Sequence, residues 1–241
     1  MNIPVLKGLI KRRILVNFRA DPAVVQAILP QPFRPKLHQG EAIVGICLIR
    51  LEQIRPAVSP LAVGISSENA AHRITVEWEE DGQSKQGVYI PRRDTGSQLN
   101  HLAGGRLFPG EHHLAHFEVH STDTEIDFHM QSEDGQVKVD VAGKIDSRLP
   151  ATSHFASLEE ASAFFEAGSL GYSVRHDSPG FDGMLLKTKS WHVDALDVSQ
   201  VYSSYYADET LFPSGSVIFD HALIMRDIEH EWHGQKEIIE E

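Results

Sequence analysis

Cysteine is almost missing from this sequence. Cys47 stands alone among 241 residues, so no disulfide can staple the chain to itself, and its place inside the apolar run IVGICLI reads as that of a small buried hydrophobe. Long apolar runs are missing too. No stretch reaches the length that crosses a bilayer, and the apolar segments between Lys7, Lys11, Arg12 and Arg13 are too short for a signal-peptide core. These absences predict a soluble, cytoplasmic protein with no membrane partner. Basic residues are outnumbered: 22 Lys and Arg face 34 Asp and Glu, a formal charge of −12, which argues against the phosphate contacts on which nucleic-acid binding rests. The expected partner is a small molecule or another protein.

Strong metal signatures are also missing. The 14 histidines form no HExxH motif and no paired Cys/His spacing exists, so no metal and no other cofactor is expected. The one alternative is His116, Glu118 and His120, whose i, i+2, i+4 spacing puts three ligand types on one face of a strand, although alternation more often places such groups in water. Finally, no Pro/Gly/Ser-rich linker or charge block divides the chain. That predicts a single domain over residues 1–241, long enough to bury an ample core.

What is present is mostly strand signal. Ile14 to Phe18 reads as a first strand, and Asp21-Pro22 supplies an N-cap and a proline at the first helical position. Ala42 to Leu51 is apolar on both faces, as in a strand buried on both sides. Ala71 to Glu80 alternates, with Arg73, Thr75, Glu77 and Glu79 on its polar side. That side either faces water or lines a polar cavity where Glu77 acts on a ligand. The turn at Asp81 to Gln83 makes a hairpin with the strand ending at Ile90, and SEDG at Ser132 to Gly135 makes a second one. Ser157 and Glu160 form a capping box that opens a helix ended by Gly168. Lys187 and Lys189 share a strand face with Trp191, as surface groups lying over an apolar ring or as groups reaching a cavity. Asp220-His221, in the middle of the last strand, reads as a hydrogen-bonded structural pair, because no G-x-S-x-G elbow accompanies it.

Ionisable groups concentrate between Val88 and His120. Pro91 closes a strand there, Arg92 and Arg93 follow, and Asp94 is placed to cap a short helix from about Thr95 to His101 that Gly104 and Gly105 stop. In the strand that begins near Glu111, period two puts His113, Ala115 and Phe117 on the core face and His112 on the other. Two histidines at such a point serve as structural groups or as chemistry.

The passages ILVNFRADPAVVQAILP, EAIVGICLIRL, GGRLFPGEHHLAHFEV, FFEAGSLGYSVR and FPSGSVIFDHALIMRDIEHEW resemble an uncharacterised bacterial family grouped with acetoacetate decarboxylase. The resemblance covers most of the chain. It implies a β-dominated α+β fold, a closed or cone-shaped antiparallel barrel with a few short helices, and assembly as a homo-oligomer. In the decarboxylases a G-R-E turn leads to Pro-Lys-Lys, whose first lysine forms a Schiff base with the ketone. Here Gly105-Arg106-Leu107 resembles the turn, and His112-His113 falls where the lysines would lie, one residue short. Imidazole forms no protonated imine, so Schiff-base decarboxylation is not expected. The implied alternative is a carboxylate or keto-acid binding barrel. In it Arg106, with Arg92 and Arg93, recognises the acid, and His112 or His113 works as a non-covalent acid or base near neutral pH. A noncatalytic binding or assembly module with structural histidines is the competing reading. An enclosed ligand-sized cavity reached by Arg106 and His113 favours the first and a side-chain-filled interior the second.

Overall fold

Alternation of apolar and polar residues, broken by Gly and Asp at turns, folds the chain into thirteen strands and three short helices in one hydrogen-bonded sheet. The computed structural model describes residues 4–60, 64–103, 108–175 and 178–239. In chain order these are β1 (Leu6–Ala20), α1 (Pro22–Ile28), the two-residue β2 (Arg34–Pro35) and β3 (Leu37–His38), β4 (Glu41–Pro56), β5 (Ile65–Glu80), β6 (Gln83–Thr95) and α2 (Gln98–Ala103). There follow β7 (His112–Ser121), β8 (Glu125–Ser132), β9 (Lys138–Asp146), α3 (Leu158–Ala167), β10 (Leu170–Val174), β11 (Phe181–Thr188), β12 (Asp194–Ser203) and β13 (Val217–Gly234). No helix among the described residues is long and apolar enough to cross a membrane.

The local signals act as their chemistry requires. Asp21 Oδ1 accepts the Ala23 and Val24 amides to start α1. Ser157 Oγ accepts the Glu160 amide to start α3, and the Glu160 carboxylate takes the Ala156 amide, one residue upstream of the expected Ser157. Asp81 (φ 52°) and Gly82 (φ 71°) are both left-handed, the pair a two-residue hairpin turn needs. Two expectations fail. Asp94 does not cap α2, because it ends β6 and is held by Arg92; the Asn100 amide is taken by Ser97 Oγ instead. Pro91 does not end a strand, since β6 runs through it with a register shift against β5 between His72 and Ile74.

The sheet closes into two circuits that share a wall. One runs β13-β1-β4-β5-β6-β7-β8-β9-β12 and back to β13, a ring of nine strands; the other leaves the same wall at β6 and returns to β13 through β10 and β11, a ring of seven. Each circuit has its own apolar filling. Val44, Ile46 and Leu48 of β4 join Ile14 and Val16 of β1, Phe128 of β8 and Val139 and Val141 of β9 in the nine-strand ring. Ile43, Cys47, Ile49 and Leu51 of β4 join Leu15 of β1, Met184 and Leu186 of β11 and Phe165 of α3. Side chains alternate across a strand, so a strand between two interiors must be apolar on both faces. That is the physical reason for the apolar run in β4. The seven-strand ring closes tightly: a Cβ on Gly87 would lie 2.4 Å from the Leu170 carbonyl oxygen, so only glycine lets β6 and β10 approach.

Candidate functional site

The nine-strand ring holds the larger apolar cluster, whereas the lining of the seven-strand ring leaves a cavity of about 90 Å³. All seven of its strands contribute to the lining: Arg13 from β1, Cys47 from β4, Arg73 from β5, Arg93 from β6, Gly171 from β10, Met184 from β11 and Trp232 from β13. Most of the rest is apolar, including Ile49, Ile90, Phe108 and Leu186. On the measure by which one water takes about 10–15 Å³, this space holds roughly six to nine heavy-atom-sized groups.

Three guanidiniums converge there. Arg73 is 4% exposed, and its Nη2 donates to Asn17 Oδ1 while its charge lies 4.8 Å from the Phe165 ring centroid. Arg13 Nε donates to Cys47 Sγ at 3.2 Å, and Arg93 Nε to Ser173 Oγ at 3.3 Å. Among the described residues none of the three has a carboxylate at ion-pair distance. Burial pushes both Arg73 and Arg93 down to about 10, so these two remain cationic at neutral pH. Asp94 also borders the cavity, but its carboxylate takes three hydrogen bonds from Arg92.

Arg73 is oriented by a buried relay. Asn17 accepts from Arg73 and donates through Nδ2 to the Leu15 carbonyl at 3.1 Å and to His221 Nε2 at 3.0 Å. His221 Nδ1 then donates to Asp220 Oδ2 at 2.5 Å, the tautomer this network requires. Asp220 also accepts from Ser153 Oγ at 2.7 Å and from the His154 amide at 2.8 Å. The Asp220 carboxylate therefore reaches Arg73 only through two neutral groups. Four further buried polar atoms, Arg13 Nη1, Arg73 Nε, His112 Nδ1 and Trp232 Nε1, have no hydrogen-bond partner among the described residues, and all four side chains line the cavity.

Strand register decides which of the paired residues face inward. In the parallel β6–β7 pairing Arg93 lies opposite His112 and Asp94 opposite His113, and partners in register share a face. The irregularity around Pro91 changes the phase of β6, so Val88 and Ile90 line the cavity and so does Arg93, where strict alternation would have selected Arg92. Arg92 instead spends its donors on Asp94 at 2.8 Å, Asp134 at 2.9 Å and Gln136 at 3.1 Å. His113 is part-exposed and 3.3 Å from Asp134, whereas His112 is 7% exposed. Glu77 lies farther along β5, half-buried and 3.7 Å from Arg34, outside the cavity lining. Arg106 lies outside the described residues, as do the glycines expected to stop α2. His116 is largely exposed, and no cluster of His, Cys, Asp and Glu able to hold a metal is found among the described residues.

The sequence matches a family model, DUF2071, described as an uncharacterized conserved protein, over residues 10–199. The chain belongs to the DUF2071 family. No curated protein matches it. In fold, this DUF2071 protein is similar to acetoacetate decarboxylase from Legionella pneumophila subsp. pneumophila str. Philadelphia 1 (11% identity, 98% of this chain and 88% of that one, TM-score 0.61). It is similar also to an acetoacetate decarboxylase-like enzyme from Sphingomonas wittichii RW1 (12% identity, 100% and 94%, TM-score 0.62). A third likeness is to the enduracididine biosynthesis enzyme MppR, a structure complexed with pyruvate (12% identity, 98% and 91%, TM-score 0.57). The fold is thus the acetoacetate decarboxylase-like fold, strand-dominated with few helices.

In the DUF2071 protein no lysine among the described residues lines the cavity. Lys187 and Lys189 sit in a separate outer depression with Glu229 and Glu231, and Lys189 pairs with Glu229. His112 differs from the expected acid or base: burial, and then the charge of Arg93, push it down to about 3, so at neutral pH it is an uncharged hydrogen-bonding group. Arg13, Arg73, Cys47 and Trp232 escaped the sequence reading. Arg73 carried a signal, because it belongs to the polar face of β5 for which a cavity was one of two readings. Arg13 sits in a basic run that reads as surface.

The buried histidines make stability depend on pH. His72, fully buried, is pushed down to about 3 by burial and then by Arg92, as His112 is by burial and Arg93. Both folded values lie below the ordinary 6.5, so the unfolded chain binds protons that the folded chain refuses. Their contribution is complete above about pH 6.5 and is lost as pH falls toward 3. Thermal unfolding should therefore move to lower temperature between pH 7 and pH 5; a midpoint that stays level across that window contradicts the assignment.

Proposed function

We propose that this protein binds a small carboxylate of the 2-oxo acid class in the cavity of its seven-strand ring, with Arg13, Arg73 and Arg93 holding the acid. The observation that carries this reading is the set of three guanidiniums without carboxylate partners among the described residues around one small cavity, in a chain whose formal charge is −12. Buried cations without counter-ions are costly, and a ligand carboxylate is the group that offsets that cost. The unpartnered donors on the lining add to it, since each buried unmade hydrogen bond costs about 1–3 kcal/mol. A filled interior would have favoured a purely structural module; the cavity favours a ligand, with Arg13, Arg73 and Arg93 at its lining where Arg106 and His113 were expected. The pyruvate recorded for MppR, a protein of the same fold, supports the ligand class.

Neutral His112 in this reading donates or accepts a hydrogen bond at the keto or carboxyl oxygen and does not carry a proton to it. No imine takes part. Calorimetric titration with pyruvate tests binding, and no heat and no thermal stabilisation with any small 2-oxo acid would reject it. Incubation with pyruvate followed by borohydride should leave the intact mass unchanged; an adduct on any lysine would reject the non-imine part alone.

A further inference from the structure

The cavity holds one nucleophile that the binding reading leaves idle. Cys47 alternates with Ile49 and Leu51 on the inward face of β4, and Ala71, its registered neighbour on β5, keeps the space beside the sulfur small-sided. Arg13 Nε donates to Sγ at 3.2 Å, which directs a sulfur lone pair at a cation. Arg73 and Arg93 line the same cavity as this sulfur. Two side chains more than nine-tenths buried on the same lining, Arg73 and His112, each carry a ring or guanidine nitrogen without a partner, which points independently to a ligand at this place.

We infer that Cys47 is the reactive residue of the cavity, a thiol that captures small anionic electrophiles drawn in by the three arginines. For a 2-oxo acid the step is a reversible addition. The sulfur bonds to the carbonyl carbon as the C=O π bond opens, the oxygen takes that electron pair together with the thiol's proton, and no group leaves. The product is a hemithioketal, held by its carboxylate among the arginines. This part rests on the 2-oxo acid reading, whereas the reactivity of Cys47 toward anions does not.

Alkylation of the native full chain separates the two. A thiol in open solution reacts more slowly with iodoacetate than with iodoacetamide, because the former is an anion. In this protein the order should invert, with iodoacetate faster by about ten-fold or more at low salt. The advantage should shrink as salt rises and the arginines are screened. Peptide mass mapping should place the label on Cys47, the Cys47→Ser variant should take none, and Arg13→Gln should lose the preference while remaining alkylated. An iodoacetamide preference, or a Cys47 inert to both reagents in the folded chain, overturns the inference. Carbon NMR of pyruvate labelled at its keto carbon tests the addition: a tetrahedral carbon signal, absent with Cys47→Ser, supports it. Calorimetric binding without that signal overturns the covalent step and leaves the 2-oxo acid reading intact. No pyruvate binding alongside selective carboxymethylation removes the 2-oxo acid reading and retains the reactive thiol.

Discussion

Replacing Arg13 with Gln will weaken pyruvate binding by roughly ten- to a hundred-fold, the loss expected when one hydrogen bond to a charged group, worth about 1.5–3 kcal/mol, is removed. Arg13 is the best of the three guanidiniums for this measurement. It has no ion pair among the described residues to break, it is only part-buried, and its outward neighbour is the Trp191 ring, 5.9 Å from the charge. Arg73, by contrast, is tied through Asn17 and His221 to Asp220, so its removal would leave buried acceptors unmade and confuse folding with binding. Isothermal titration of the variant against wild type reads the effect, with Lys187→Gln on the outer face as a control that should bind as wild type does. Equal affinity in wild type and Arg13→Gln would show that the ligand does not meet this cation.

The largest loss of stability is expected from Phe33→Ala. Phe33 is 0% exposed and follows α1 into a nest of rings: Phe181 at 5.1 Å, Trp78 at 5.5 Å, Tyr89 at 5.7 Å and Tyr172 at 5.9 Å between centroids. Those four rings come from β5, β6, β10 and β11, so one side chain ties together the strands where the second circuit branches from the wall. Two of the contacts are edge-to-face, at 84° with Trp78 and 69° with Phe181, the arrangement aromatic quadrupoles favour. Truncation should cost about 3–5 kcal/mol, since four rings cannot all collapse into the space. In a chain of this length each kcal/mol lowers the melting temperature by roughly 2–4 °C, which gives a fall of about 6–20 °C. Leu102→Ala, at a position 77% exposed, should change stability by no more than about 0.5 kcal/mol. A Phe33→Ala variant that melts with wild type would mean that β10 and β11 are held by other contacts.

Much of the fold was legible because its signals are local. The apolar run in β4, the Asp81-Gly82 turn, the caps at Asp21 and Ser157 and the resemblance across most of the chain all follow from residues near one another. The site was less so, because its membership depends on which interior a strand faces. Lys11, Arg12 and Arg13 read as one basic run, yet Arg12 pairs with Glu68 at 2.7 Å while Arg13 turns into the cavity. Only the pairing of β1 between β13 and β4 separates them. The choice between Arg92 and Arg93 turned on a single irregularity at Pro91, and that between His112 and His113 on a parallel register spanning the chain between β6 and β7. Cys47 looked like one more apolar residue, because a sulfur between Ile46 and Leu48 gives no sign of three distant arginines.

A wall with an interior on each side lets neighbouring residues answer to different demands. Along much of β1, β4 and β13 the even positions, such as Val16, Ile46 and Ala222, belong to one apolar cluster, while odd ones, such as Arg13 and Cys47, line the cavity. The cavity side of these strands can then change through odd-numbered substitutions while the apolar cluster behind them keeps its composition. Along this stretch of wall the parity of a residue number, rather than its distance along the chain, separates the residues of one chamber from those of the other.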